Sequence, residues 1–521
     1  MLPIVSQQPP RKFSPSRYLA ARILFQKPMQ NGTHLAAIDL GSNSFRLEIG
    51  RYEFGHIQRI EYLKETVRQG NGLDEENNLS TEAMQRGWDC LARFAERLAN
   101  FPRAQVRAVA TQTLREARNS HVFLQRGGEV LGHPIDVVSG LEEARLIYQG
   151  VSRLLPESGE RRLVVDIGGR STELILGERF TSHAVASFCV GSVAWSTQFF
   201  PNGRLSASAF TTAEIAAKAV LDEALETYRP SHWDVAYGSS GTVGAVRDVL
   251  VAAGQSAGET ITRSGLDWLR ERLLRAQSVD RIRLDGLKDD RRPVIGGGLS
   301  ILRAVFDLLD IHEMQVAQGA LRQGALYDLL DREQPQTDLR TASVQGLALN
   351  FAVDLSQAER VAKIACFLFK QISPRPSESV LRNLNWAGRL HEIGCRISHS
   401  DYHRHGAYIL ENTDVAGFAK HELHGLGSLV LGHRGKVRKL QADIDDPIFI
   451  FQLMALRLAV ALCHARRDPD LEGFTLSIKG QRFNLAAHPG WATAYPQSAH
   501  LLREEMLAWQ RTPWELETHL P

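Results

Sequence analysis

One fifteen-residue pattern occurs twice in the 521-residue chain, and this repeat constrains its architecture more than any other feature. Residues 36–50 read AAIDLGSNSFRLEIG and residues 163–177 read LVVDIGGRSTELILG. Aligned on Asp39 and Asp166, the pairs Gly41/Gly168, Ser44/Ser171, Leu47/Leu174 and Gly50/Gly177 are identical, and the apolar positions agree. Each copy is an apolar strand, an Asp, a glycine turn and a second alternating strand, which predicts a β-hairpin. Glycine lets the turn backbone approach a ligand closely. Successive N–H groups in such a turn cradle phosphate oxygens. An Asp beside it is a natural partner, direct or through water, for a phosphate-bound Mg2+. One such hairpin is only an ordinary turn; two predict related lobes facing a shared phosphate site.

Strands and helices alternate around the hairpins. Val106–Ala110 and Ile135–Ser139 read as strands. Ser139 then caps a helix that opens at Gly140 with Glu142 and Glu143 in its first turn. Adjacent acids on a helix point in different directions, so one can face a cleft while the other faces elsewhere. Val235–Tyr237 runs into Gly238, Ser239, Ser240, Gly241 and Thr242, and Val294–Ile295 runs into Gly296, Gly297, Gly298 and a helix over Leu299–Leu309. Both have the strand, glycine turn and helix form that binds phosphate at a helix N-terminus. After Leu330 the polar segment DREQPQTDLR reads as a linker. Helical spacing follows at Ser343–Phe351, Gln357–Gln371, Ser379–His391 and Phe449–Cys463, and from Glu472 a small strand-and-helix cap is expected.

The length suggests roughly three or four domains at about 150 residues each. Hydrophobic residues at 43% and charged residues at 23% exclude wholesale disorder, collagen and a disulfide scaffold. The five cysteines are scattered without a C-x-x-C pair, as reduced intracellular thiols are. Residues 1–33 carry cations among Pro, Gln and Ser but no apolar signal core, and read as a flexible tail. The apolar run Ile448–Cys463 is broken by Gln452 and Arg457, which predicts a buried helix rather than a membrane span. A cytoplasmic protein without integral membrane contact is expected, with peripheral membrane association left open. The net charge of +2 excludes a uniform basic coat, and no nucleic-acid partner is expected. The charge is nonetheless segregated: Arg360–Leu440 holds 13 Lys and Arg against 6 Asp and Glu, a local +7. Such a stretch suits a polyanion.

In chain order, DLGSNSFRL, ATQTLREA, SGLEEARLIYQGV, DIGGRSTEL, GSSGTV, RLHEIG and HRHGAYIL resemble the exopolyphosphatase and guanosine-pentaphosphate phosphatase family, most of all its long bacterial exopolyphosphatases. The resemblance implies an α/β fold with duplicated actin-like (ribonuclease H-like) lobes at 34–147 and 148–330, an all-α HD-like domain at 336–467 and a small α+β domain at 468–521. It implies Mg2+-dependent, processive removal of terminal phosphate from inorganic polyphosphate. The alternatives are conversion of guanosine pentaphosphate to the tetraphosphate, or a polyphosphate or alarmone sensor without turnover. An actin-fold sugar kinase is opposed by the SGLEEAR signature. A homodimer is also implied.

By the same resemblance Glu143 is the catalytic base. Asp39, Asp166 and Glu173 hold Mg2+ or position water. Arg115 faces the phosphates. Ser44, Gly168, Gly169, Ser171 and Thr172 offer donors, and Ser240, Gly241 and Thr242 close another side of the cleft. One departure stands out: the family's DIGGGSTE has Arg170 in place of its third glycine. Arg170 binds phosphate, points outward or obstructs the loop; retained activity with altered phosphate affinity is the expectation. In the helical half the family's pattern would need a His-Asp pair for metal, but His391 is followed by Glu392, and His399, His403, His405 and His433 lie nearby. Buried, hydrogen-bonded histidines or a polyanion-facing surface are expected there in preference to a metal site.

Overall fold

The computed structural model describes residues 29–521 apart from 257, 259, 334–337, 441–443 and 511. Most of the expected tail and the middle of the expected linker lie outside the described residues. Both hairpins form as predicted. The strands are β1 (His34–Leu40), β2 (Phe45–Glu53), β3 (His56–Glu65), β4 (Val106–Ala110), β5 (Ile135–Val137), β6 (Arg161–Ile167), β7 (Thr172–Glu178), β8 (Thr181–Phe188), β9 (Val235–Ser239), β10 (Thr260–Thr262) and β11 (Glu313–Val316). The first sheet has the order β3-β2-β1-β4-β5 and the second β10-β11-β9-β6-β7-β8. The run β8-β7-β6-β9-β11 repeats the whole first sheet, with antiparallel hairpins followed by parallel neighbours. Register repeats too: Asp39 pairs with Arg46 and Asp166 with Glu173. The conserved glycines have a structural reason. Each sheet is bulged, at Ile49/Gly50 and at Leu176/Gly177. A β-carbon at Gly50 would strike Ile57, and one at Gly177 would strike Tyr148.

Two helices, Gly140–Ser152 and Leu321–Glu333, lie between the sheets. Gly150 packs onto the backbone at Ala320, and Gly324 onto the backbone at Leu146. The Gly140 helix shares a core with Val109 of β4 and with Val164, Ile175 and Tyr237 of the second sheet. The Leu321 helix packs Ala325, Leu326 and Leu329 on Leu35 and Ala37 of β1. A division at 147/148 therefore falls inside a shared helix, and residues 321–330 pack on the first lobe. The expected Val294–Ile295 strand does not form. Ile295–Leu308 is one helix with Gly296, Gly297 and Gly298 inside it. The three glycines serve close packing, because β-carbons there would meet Phe200, Ser196 and Thr242.

Helices Leu339–Asn350, Leu355–Ile372, Glu378–Leu390, Tyr402–Asn412, Lys420–Gly432 and Pro447–Leu462 build the C-terminal half. The strands β12 (Thr475–Lys479), β13 (Arg482–Ala486) and β14 (Glu515–His519) and the helix Pro496–Ala508 complete it. One hydrophobic core runs from Val344 to Leu520, so no boundary near 467 separates two cores. Among the described residues, no helix is long and apolar enough to cross a membrane.

Buried charge ties this half to the lobes. Glu142 accepts from the Gly417 amide at 2.8 Å and is gripped by both edges of Arg145, at 2.7 and 2.8 Å. Arg145 also binds Asp328 at 2.6 Å, and Asp328 contacts Arg107 of β4. Arg332 joins Asp328 to Glu422 and donates to the Gly417 carbonyl. Gly417 adopts φ +87°, where a side chain is strained, and a β-carbon there would press on Arg340. Removing one partner of a buried ion pair typically costs about 3–5 kcal/mol. Glu142→Gln should thus lower unfolding free energy by about 3 kcal/mol in urea titrations. Gly417→Ala should lower it in the same direction; unchanged curves for both would show that the clasp contributes nothing.

Candidate active site

The glycine turns of the two hairpins meet across a small cavity of about 80 Å3. It has room for a phosphoryl group and an attacking water rather than a whole nucleotide. Asp39, Ser44, Glu143, Asp166, Gly168, Gly169, Ser171, Ser240, Gly241 and Thr242 all border it. Arg115, Thr172 and Glu173 do not. Further residues also line it: Ser42, Asn43 and Arg46 of the first hairpin, and Thr111, Ser192 and Arg291 from elsewhere in the chain.

Glu143 sits in the first turn of the Gly140 helix, where Ser139 caps the N-terminus by accepting from the Glu142 amide at 3.1 Å. Glu142 turns to the helical half and Glu143 to the cavity. Arg115 does not face the phosphates as expected. It stands behind Glu143, donating to Oε2 at 3.2 Å while the Val138 carbonyl holds it at 2.7 Å. It therefore orients the carboxylate. Burial pushes Glu143 up to about 7, against the pull of Arg115. Burial also raises Asp166 to about 6. Glu173, opposite Asp166, is raised well above its ordinary value by burial and then by Glu143 and Asp166, and it accepts from Ser187 Oγ at 2.8 Å. Glu173 thus stands behind the cavity wall rather than on it, paired in register with Asp166. Asp39 is held by Arg46 at 3.2 Å and Arg322 at 3.4 Å.

Three hydroxyls expected to serve phosphate are otherwise engaged. Thr172 is fully buried and donates to the Val190 carbonyl at 2.6 Å. Ser240 and Thr242 both donate to the Ile167 carbonyl, at 2.9 and 2.8 Å. Ser240 holds φ +87°, a strained geometry for a residue with a β-carbon. That turn pins the residue next to Asp166. Gly241 is needed because a β-carbon would fall on the Arg291 guanidinium. Burial lowers Arg291 from its ordinary value but leaves it cationic.

The Ppx/GppA phosphatase family matches residues 49–333, and its domain III matches residues 339–508. The chain belongs to this family. A guanosine-5'-triphosphate,3'-diphosphate pyrophosphatase of Vibrio atlanticus is 41% identical over 90% of this chain and 95% of its own length. The protein of the same description from Pseudoalteromonas translucida is 38% identical over 94% and 99%. An exopolyphosphatase structure from Cytophaga hutchinsonii, 24% identical, superposes with a TM-score of 0.52 over 57% of this chain and 98% of its own, and supports the two-lobed fold.

Arg170, the departure from the family's glycine, neither lines the cavity nor requires a positive φ. Its guanidinium pairs with Glu116 at 2.8 Å, bridging the second loop to the first lobe. It points away from phosphate. In the helical half, no three His, Cys, Asp or Glu side chains among the described residues could hold a metal. Glu392 is instead paired with Arg466 at 2.7 Å.

Of the cations that sequence reasoning missed, Arg46 carried a signal. It faces Asp39 in register, as Glu173 faces Asp166. Arg291 carried none in its own segment; only the folded contact with Gly241 reveals it.

Two predictions follow from this geometry. Arg170→Gly removes a partly buried ion pair that stands outside the cavity. Orthophosphate release by the wild type and this variant should agree within about twofold, the resolution of a small energetic change. A dead wild type rescued by glycine would instead show obstruction. Glu143 and Asp166 bind protons more tightly in the folded chain than in the unfolded one. The stability they confer is full below about pH 4 and is lost as pH rises through 6 to 7. In metal-free buffer the melting temperature should therefore fall between pH 5 and pH 8, and Glu143→Gln should reduce that fall.

Proposed function

We propose that the protein hydrolyses the terminal phosphoanhydride of guanosine pentaphosphate, releasing orthophosphate and leaving the tetraphosphate. The observation that carries this reading is a second compartment, of about 320 Å3, continuous with the phosphate cavity through Arg46, Ser240, Gly241, Arg291 and Ala320. Its size falls in the ~300–1,000 Å3 range of small-molecule sites. Lys288 adds positive charge for a second phosphate group beside Lys64 and Arg322, which are paired with Asp290 and with Asp39 and Glu48, and the half-exposed Tyr62 ring, with the Arg322 guanidinium 5.2 Å from its centroid, offers a surface for a base. A bare phosphate chain would use the cations but not the ring. The names of the most similar relatives favour the same substrate over the polyphosphate first expected. The basic stretch at 360–440 is also less available than its sequence suggests, because Arg360 and Arg382 pair with Asp468 and Asp338 outside it. With Arg170 turned away, the main reason for a sensor without turnover is removed.

In this mechanism the terminal phosphoryl occupies the small cavity. Glu143, oriented by Arg115, takes a proton from water as the water oxygen bonds to phosphorus and the anhydride P–O bond breaks. A base near 7 suits the task at neutral pH. Arg46, Arg291 and the turn amides of the two hairpins stabilise charge on the equatorial oxygens. The acids fit Mg2+: Asp166 is buried and forms no ion pair among the described residues, whereas Asp39 is already held by two arginines. Asp166 would hold the ion, with Asp39 acting through water. Mg2+ takes only one or two carboxylates beside substrate phosphate, and would supply neutralisation of the phosphate charge.

Glu143→Gln should lower kcat for orthophosphate release by about 100- to 10,000-fold. Wild-type kcat/KM should be higher for guanosine pentaphosphate than for long-chain polyphosphate. Release that survives Glu143→Gln would refute the base, and a preference for polyphosphate would restore the exopolyphosphatase reading.

A further inference from the structure

A cavity of about 520 Å3, wider than either compartment of the phosphate site, opens in the helical half between the Pro447–Leu462 and Pro496–Ala508 helices. It contains histidines that the proposed reaction does not use. His391 donates from Nδ1 to the Gly388 carbonyl at 2.7 Å, and His433 from Nδ1 to the Val430 carbonyl at 2.6 Å. With Nδ1 protonated on both rings, each Nε2 is an acceptor. Nε2 of His433 lies 3.4 Å from the Tyr402 hydroxyl. Nε2 of His391 has no hydrogen-bond partner among the described residues, although the residue is only 1% exposed. Burial holds both rings below the ordinary histidine value, so they are neutral at pH 7.

Two of the cations around this cavity are engaged. Arg457 is bound by Glu505 and by the Gly432 carbonyl, and Arg466 by Glu392 and Asp354. Two others stand on the rim beside Gly435 and form no salt bridge among the described residues: Lys436, and Arg434, whose guanidinium lies over the Tyr402 ring, 5.3 Å from its centroid. Val460, Ala461, Leu501 and Ala508 make an apolar wall. The site thus combines a buried acceptor, two rim cations without a carboxylate partner among the described residues, and an apolar face.

We propose that this cavity binds a nucleoside phosphate, with its phosphate at Arg434 and Lys436, a ribose or base donor at His391 Nε2, and its base against the Val460–Leu501 wall. Inorganic phosphate fits poorly, because its oxygens and His391 Nε2 are both acceptors and it leaves the apolar wall uncovered. A metal cation would meet Arg434, Lys436, Arg457 and Arg466 beside Glu392, Glu504 and Glu505, and no three ligating side chains gather there among the described residues. The site is separate from the phosphate cavity and does not depend on the activity proposed there.

GMP and AMP, which lack a phosphoanhydride, test this by calorimetry on the full chain, with inorganic phosphate as the comparison. At least one nucleotide should bind. Arg434→Glu and Leu501→Asp, both at exposed rim positions that leave the core intact, should each weaken that binding by about tenfold or more. Arg291→Ala in the phosphate site should leave it unchanged. Binding that ignores both rim variants, binding lost with Arg291→Ala, inorganic phosphate binding that the rim variants weaken equally, or no heat from either nucleotide would each overturn the proposal.

Discussion

Everything about the site follows from placing acids between two sheets where water is scarce. Asp39, Glu143, Asp166 and Glu173 share one buried space, and four carboxylates there cannot all be ionised. The arginines sort them. Asp39 is held by Arg46 and Arg322; Glu143 has Arg115; Asp166 forms no ion pair among the described residues, and Glu173 has only Ser187. The result is a graded set: burial raises Glu143 to about 7, Asp166 to about 6 and Glu173 well above its ordinary value, while Asp39 lies between two arginines. Proton transfer and phosphate charge neutralisation are separated by environment rather than by residue type.

Such a set is destabilising by itself, so the surrounding fold must hold it rigidly. The Gly140 helix does this with consecutive residues. Glu143 enters the cavity while Glu142 enters a buried ionic network that reaches Arg107, Asp328, Arg332 and Glu422. The Gly417 peptide closes it from both ends, giving its amide to Glu142 and its carbonyl to Arg332. The helical half is therefore not an appendage. It braces the helix that carries Glu143, and a shift of Gly417 would reach Glu143 through a single peptide bond.

The duplicated hairpins were legible because their chemistry is local: alternation, a turn and an Asp specify a strand pair and its register. The opposed directions of Glu142 and Glu143 were legible from helical geometry. Side-chain partners were not. Thr172, Ser240 and Thr242 look like phosphate donors until the fold supplies the carbonyls of Val190 and Ile167 as nearer acceptors. Gly296–Gly298 imitate a phosphate turn, but the same lack of side chains also permits tight helix packing, and only the positions of Ser196 and Thr242 decide between them. Arg115 was placed in the right neighbourhood and given the wrong object, because an arginine near phosphates and a carboxylate can bind either.

The repeat is finally informative where it breaks. The backbones of the two hairpins coincide in topology, register and bulge, yet their equivalent charged positions differ. The residue facing the loop Asp is Arg46 in one copy and Glu173 in the other. A strictly symmetric pair would give either two cation–acid couples, leaving no acid free for a metal or a proton, or two acid–acid couples, leaving the phosphate without a cation. The asymmetry makes one lobe the anion-holding side and the other the acid-rich side, so a phosphoryl group between them experiences a direction. Asn43 and Arg170 repeat the point, since the first borders the cavity and the second turns out to Glu116 to join the lobes. Symmetry in the backbone places the two turns face to face, and asymmetry in charge allows them to act on one substrate.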